Sequence, residues 1–385
     1  MSELAEAVLR AAGRISEVDT AYDAELLLST LLGGVYQVLP PDRGPALDAF
    51  VETLREHLST HDEPNATLVA AVLDGHPAPS PPWAAALGTV RATGGYAFGD
   101  RYGDQTSYVA TFEYADPELG GPEHAIVVLA DHNLGLARDL LVLAPAAPVL
   151  QQLRDSALTD PDGMTWLAEV PLSTVRTAAN AYLRATDTAS EPPATESLPA
   201  NRSLALARLA LLPEAAEQPE PDAGAAGREL MGEFLASPEA SLSGLSGLGG
   251  PRGESVNYCL GLIVDFATGR GGDPLRWSPQ SVVTFLTEWV HQRAVLDNVD
   301  AATLPGTLGA WVVWAGRRLD LPDHAVQGTF AQVNAERDEF ARLYATGERR
   351  SPAAEAMARL VAEGVDLTDD DAVDAWLRTY NAEHG

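Results

Sequence analysis

Apolar positions recur at helical spacing over residues 1–75. Leu4, Ala7 and Val8 begin one stripe. Ala24, Leu27, Leu28, Leu31 and Leu32 follow an i, i+3, i+4, i+7, i+8 order, the signature of a helix facing a core. Gly33-Gly34 is the expected stop of that helix. Leu47, Phe50, Val51 and Leu54 form a further stripe, as do Leu68, Val69, Val72 and Leu73. The run Gly75-His76-Pro77-Ala78-Pro79-Ser80-Pro81-Pro82 then breaks regular structure. After it the period changes to two: Tyr108, Ala110, Phe112 and Tyr114 alternate with Val109, Thr111 and Glu113. Residues 125–130 are continuously apolar, as in a strand buried on both faces. Leu140 to Leu143 reads as another strand and Tyr96–Phe98 as a candidate fourth, with a turn over Asp116 to Pro122. Leu172, Val175, Ala179, Tyr182 and Leu183 share one helical face. The pattern predicts a mixed α+β domain over 1–190: helices in 1–75, a small, mainly antiparallel sheet in 90–145, and a covering helix at 170–185.

Residues 191–227 are rich in Pro, Ala and Glu and read as a linker, interrupted by a short helix near Leu204–Leu211. Residues 237–253 are rich in Gly and Ser and read as loop. Over 228–385 every periodic segment is helical. Ser278-Pro279 supplies an N-cap and a proline at the first helical position, followed by Val282, Leu286 and Trp289 with Phe285 beside them. Further faces are Leu308, Trp311, Val312, Ala315 and Leu319; Val326, Phe330 and Val333; and Met357, Leu360 and Val361. Thr368 with Asp371 resembles a capping box ahead of Val373, Trp376 and Leu377. The fold class is therefore α+β: N-terminal helices and a small sheet, then a linker and an all-α bundle.

Composition narrows the chemistry. Lys plus Arg total 25 against 55 acids, giving a net charge of −30, and all 25 basic residues are arginine. A lysine-free chain has no Schiff-base, P-loop or kinase lysine, so lysine-dependent cofactor chemistry is excluded. Codon usage of a GC-rich genome accounts for the missing lysine without invoking mechanism. The charge is even: residues 1–190 carry a net −16 and residues 191–385 a net −14. Nucleic-acid binding and attachment to anionic lipid both need clustered cations, so neither partner is expected. The lone Cys259 excludes an intramolecular disulfide and a Cys-rich metal site, and its apolar neighbours predict a small buried residue. The acidic start Met1-Ser2-Glu3-Leu4-Ala5-Glu6 lacks the features of a signal peptide, and no apolar run reaches membrane-spanning length. A cytoplasmic protein is expected.

Standard catalytic signatures fail. Gly244-Leu245-Ser246-Gly247-Leu248 lacks the second glycine of a nucleophile elbow. Gly247-Leu248-Gly249-Gly250-Pro251-Arg252 misses the third glycine of a dinucleotide fingerprint. Asp369-Asp370-Asp371 suits a helix start without any metal. His57 and His61 are four apart, but Pro64 follows, and solvated side chains explain them as well as a metal pair does. His291 reads as a boundary residue, and Trp311 with Trp314 as core or as an aromatic wall. One polar cluster remains. Asp100, Tyr102 and Asp104 precede the first clear strand, Asp131-His132-Asn133 ends the buried one, and Arg138-Asp139 opens the next. In a meander the first two groups become neighbours. Asp100, Asp104, Asp131 and His132 have the donor types of a divalent-cation site, and His132 suits a general base oriented by a carboxylate. Asp, Asn and Gly also populate strand-ending turns for backbone reasons alone.

The segment Glu123-His124-Ala125-Ile126-Val127-Val128-Leu129-Ala130-Asp131-His132-Asn133-Leu134-Gly135 resembles a motif in uncharacterised proteins of Streptomyces and related actinobacteria. So do Gly103-Asp104 and Gly272-Asp273-Pro274-Leu275-Arg276-Trp277-Ser278-Pro279 with the helices after it. Leu136 stands where that motif has a second glycine. The resemblance implies an intracellular protein of two joined modules and brings no activity with it. The leading functional expectation is a non-enzymatic interaction or regulatory protein with a protein partner. Its rivals are a metal-assisted hydrolase built on Asp100, Asp104, Asp131 and His132, and a small-ligand sensor with its pocket against the sheet. A divalent metal belongs only to the hydrolase reading, and no other cofactor is predicted.

Overall fold

The computed structural model describes residues 3–60, 65–192, 195–216, 223–269, 272–365 and 369–384. The chain divides into two compact units, Met1–Gln218 and Pro219–Gly385.

The first unit opens with α1 (Glu3–Ala12), α2 (Ala21–Val38), α3 (Arg43–Thr60) and α4 (Ala66–Asp74). Thr20 caps α2, its hydroxyl accepting from the Asp23 amide at 3.2 Å. α2 does not stop at Gly33-Gly34 but continues one more turn to Val38. Gly33 serves packing instead: a Cβ there would sit 2.5 Å from the carbonyl oxygen of Pro199. The sheet comprises β1 (Val90–Asp100), β2 (Gln105–Tyr114), β3 (His124–Asp131), β4 (Leu136–Leu143) and β5 (Thr165–Glu169). All pairings are antiparallel, in the order β4-β3-β2-β1-β5. β5 lies beyond the expected limit of residue 145. The short α5 (Pro117–Gly120) links β2 to β3, and α6 (Ala146–Thr159) links β4 to β5.

β3 is buried on both faces, as its unbroken apolar run predicts. Ile126 and Val128 join the main core with the helices. Ala125 and Val127 pack on the other face against Ala146 and Leu150 of α6. α7 (Leu172–Thr188) covers the sheet, burying Val175, Ala179 and Leu183. The short helix expected near Leu204–Leu211 within the 191–227 linker begins earlier than expected and belongs to the core. Residues Ser197–Ala210 form α8, a core helix that buries Leu198, Leu204, Ala205 and Leu209. Its flanking Pro and Glu residues are what gave the segment a linker-like composition.

Among the described residues, every regular element of the second unit is a helix. It contains α9 (Ala223–Leu235), α10 (Pro238–Leu242), α11 (Gly250–Thr268), α12 (Pro279–Thr284), α13 (Val290–Arg293), α14 (Asn298–Arg318), α15 (Asp323–Ala335), α16 (Arg337–Thr346), α17 (Pro352–Ala362) and α18 (Asp370–His384). Residues 237–253, expected as loop, include α10 and the start of α11. A π-helical turn, Phe285–Trp289, joins α12 to α13. It places Phe285 5.2 Å from Phe266 and 5.5 Å from Trp277, both edge-on. Ser278 caps α12 in a reciprocal capping box with Ser281. Trp311 and Trp314 contact one another at 4.9 Å within the core. Phe330, which the spacing assigns to a buried face, is 40% exposed. The expected cap residue Thr368 and the candidate His61 lie outside the described residues. Among the described residues no helix is long and apolar enough to cross a membrane.

Candidate functional site

The polar residues singled out from sequence do gather at one end of the sheet. Gln105 pairs with Asp131 across β2 and β3, and the His132 amide donates to the Asp104 carbonyl at 2.9 Å. The side chains of Asp100 and Asp131, however, are engaged in building turns. Asp100 accepts from the amides of Asp104 and Gln105 at 3.2 and 2.9 Å, closing the β1–β2 turn that contains Tyr102. Asp131 accepts from the amides of Asn133 and Leu134, both at 3.0 Å, and from Arg138 at 3.3 Å. Its carboxylate is 7% exposed. The two ring nitrogens of His132 lie 2.5 Å from the Tyr182 hydroxyl and 2.9 Å from the Thr106 hydroxyl. Asp139 accepts from the Ser197 hydroxyl at 2.5 Å, tying β4 to α8. Among the described residues no group of three or more His, Cys, Asp or Glu side chains is placed to hold a metal ion.

The stronger electrostatics lie in the same unit, where α8 meets α2 and α7. The helical spacing of 100° per residue puts Arg202 and Arg208 inside the arc that also carries Leu198, Leu204, Ala205 and Leu209. Both arginines are buried, and burial of a guanidinium requires a partner. Arg202 makes a two-pronged contact with Asp187 of α7, at 2.9 and 2.5 Å. The Tyr36 hydroxyl donates to the same carboxylate at 2.9 Å, and the Arg202 guanidinium stands 5.2 Å from the Tyr36 ring centre. Burial, followed by Asp187, pushes the Tyr36 hydroxyl well above the usual phenol range.

Arg208 holds the second network. It pairs with Glu25 of α2 at 2.5 and 3.2 Å and donates to the Tyr114 hydroxyl at 2.6 Å. The Tyr114 hydroxyl in turn donates to Glu25. Arg208 Nε also donates to His124 Nε2 at 3.0 Å. A guanidinium is always a donor, so His124 Nε2 must be unprotonated and Nδ1 carries the hydrogen, facing the Pro122 carbonyl at 3.1 Å. Burial, reinforced by Arg208, lowers the His124 pKa to about 4. The imidazole packs among Tyr22, Phe112 and Tyr114. Sequence reasoning missed both networks because it placed only a short helix near Leu204–Leu211 inside a linker and gave it no part in the core. The signal that finds them is two arginines on an apolar helical arc.

Glu25 and Arg202 also reach the wall of a cavity of about 360 Å³ bounded by α2, α3, α4 and α8. Leu28, Leu32, Leu47 and Val72 give it an apolar floor. Asp48, Glu52 and Arg55 stand on its α3 side. Arg55 pairs with Glu52 at 2.5 Å and with Asp74 at 2.8 Å. Asp48 is exposed and has no hydrogen bond or ion pair among the described residues. The volume falls in the range of sites for small organic molecules. This cavity lies among helices; against the sheet, where a sensor pocket was expected, Tyr96, Leu167 and Glu169 line a smaller space of about 290 Å³ with Arg154 and Leu158 of α6.

In the second unit Cys259 is buried, and burial pushes its thiol up to about 12, which removes thiolate character at neutral pH. His291, expected at a boundary, is buried with Nε2 2.9 Å from the Leu286 carbonyl. No protein-family model matches the chain, and comparison with curated proteins and with solved structures gives no match either.

Proposed function

We propose that the chain is a non-enzymatic regulatory protein of the cytoplasm whose first unit binds a small amphipathic molecule. The cavity of about 360 Å³ between α2, α3, α4 and α8 carries this reading. Its apolar floor suits a hydrocarbon body. Of the charged residues around it, Arg202, Arg55, Glu25 and Glu52 are held in ion pairs. The exposed Asp48 carboxylate remains to receive a ligand, so the reading favours an amine or another hydrogen-bond-donating head. Occupancy bears on α8, the helix that ties α2 to α7 and β4, and this gives binding a route to a regulatory change. A protein partner then reads the bound state. The metal-assisted hydrolase is not carried forward, because Asp100 spends both oxygens on turn amides and Asp131 spends one on turn amides and the other on Arg138.

Thermal unfolding with decylamine and with decanol tests the proposal. The expected result is a rise in Tm with decylamine that is lost in Val51→Trp, which fills the cavity, and reduced in Asp48→Asn. No rise with either compound, or an equal rise in Val51→Trp, overturns it.

A further inference from the structure

A second cavity, of about 930 Å³, lies wholly within the second unit. One wall is the segment joining α10 to α11 with the first turn of α11, and the others are α14, Phe330 in the middle of α15 and Arg337 at the start of α16. Leu245, Val299 and Phe330 supply apolar surface to it. Val299 and Phe330 are 43% and 40% exposed, high values for large apolar side chains on well-formed helices. Gly306 leaves the α14 backbone bare at this point, since a Cβ there would meet nothing within 4 Å.

The charge around this groove runs against the rest of the protein. The chain has 55 acids to 25 arginines, yet the charged residues lining the groove are Arg252 and Arg337, with no acid among the lining residues. Neither guanidinium has an ion pair or hydrogen bond among the described residues. By contrast, Arg317 and Arg318, at the end of α14, are paired with Glu239 and Glu233 at 2.7 Å each. In a chain with two acids for every arginine, two unpaired guanidiniums beside one apolar groove form a receptor for negative charge. Their planar donors match a carboxylate.

We infer that this groove is a binding site for an aliphatic carboxylate, the chain lying on Val299 and Phe330 and the head group held by Arg252 and Arg337. It is separate from the cavity of the first unit and opposite to it in charge preference, so neither proposal depends on the other.

Isothermal titration of the full chain with dodecanoate, below its micelle concentration, is the test. Dodecanol and dodecyltrimethylammonium serve as controls. The expected result is saturable binding of dodecanoate, with at least about tenfold weaker binding of both controls. The double variant Arg252→Gln/Arg337→Gln is expected to lose at least about tenfold, the scale of one or two charge-assisted hydrogen bonds. Gly306→Leu, which fills the groove and favours the helix, is expected to abolish binding while Tm is maintained. The assignment falls if dodecanoate does not bind, if the trimethylammonium compound binds equally, or if both variants bind as well as the parent. It falls too if sedimentation shows the parent to be a dimer that Gly306→Leu turns into a monomer, because a second copy then covers the groove. Binding to anionic vesicles without binding of free dodecanoate also overturns it.

Discussion

Arg208 Nε donates a hydrogen bond to His124 Nε2 across 3.0 Å, and burial, reinforced by this cation, keeps the histidine neutral. The folded-state pKa of about 4 lies below the ordinary imidazole value of 6.5. A depressed folded pKa gives stability that is complete above the unfolded value and lost as pH falls through the folded value. The affected window is therefore about pH 6.5 down to 4, and the loss across it is about 3 kcal/mol at most. Gln in place of His124 keeps an acceptor for Arg208 but does not titrate. Urea unfolding at pH 7 and pH 5 is expected to show a smaller pH difference in His124→Gln than in the parent. An unchanged difference refutes the assignment.

Asp187 faces a harsher test. Removing it leaves the Arg202 guanidinium buried without its carboxylate, at a cost of about 3–5 kcal/mol. Asp187→Leu combined with Arg202→Met replaces the pair with apolar groups and is expected to recover most of that loss. Denaturant midpoints of the single and double variants measure this. A double variant no better than the single one shows that the charge pair is not the source of the effect.

Two adjacent glycines are predicted to behave in opposite ways. Gly33→Ala forces a methyl against the Pro199 carbonyl and is expected to destabilise by about 1–3 kcal/mol through overpacking. Gly34 is exposed with open space at its Cβ position, so Gly34→Ala is expected to stabilise by up to about 1 kcal/mol. Thermal unfolding of the two variants separates packing from propensity. Similar shifts in both contradict the crossing of α2 by the start of α8.

Asp131 is predicted to be structural. Asp131→Ala strips acceptors from two turn amides and from Arg138 and is expected to cost about 1–3 kcal/mol. Millimolar Mg²⁺ or Mn²⁺ is expected to leave the parent Tm unchanged, and so is EDTA. A rise in Tm with either cation that disappears in Asp131→Ala restores the metal reading.

Much of the architecture was legible in the residue order. The stripes of α2 to α4 and the continuous apolar run of β3 each determine burial locally, and the structure follows them; in β2 the alternation finds the strand but not its burial, since Val109 and Thr111 are buried beside Ala110 and Phe112. What was not legible depended on long-range fit. Gly33 looks like a helix stop unless the chain near Pro199 is known to approach it. β5 is five residues long, too short for its alternation to register. Only the second half of α8, near Leu204–Leu211, was legible, because Pro, Glu and Ala crowd its fourteen residues and their approach. The Asp and His residues at the sheet end were correctly placed near one another. Residue type alone cannot say whether a carboxylate turns toward a cation or toward the amides of its own turn.

α8 has a consequence for how the protein is made. Asp187 and Glu25 precede it in the chain, while the cations that neutralise them, Arg202 and Arg208, belong to this last helix of the first unit. Until residue 210 has left the ribosome, closing the core buries two carboxylates with no counter-ion. The emerging chain must hold helices and sheet in an open, partly solvated state, and the arrival of α8 is the event that seals the unit.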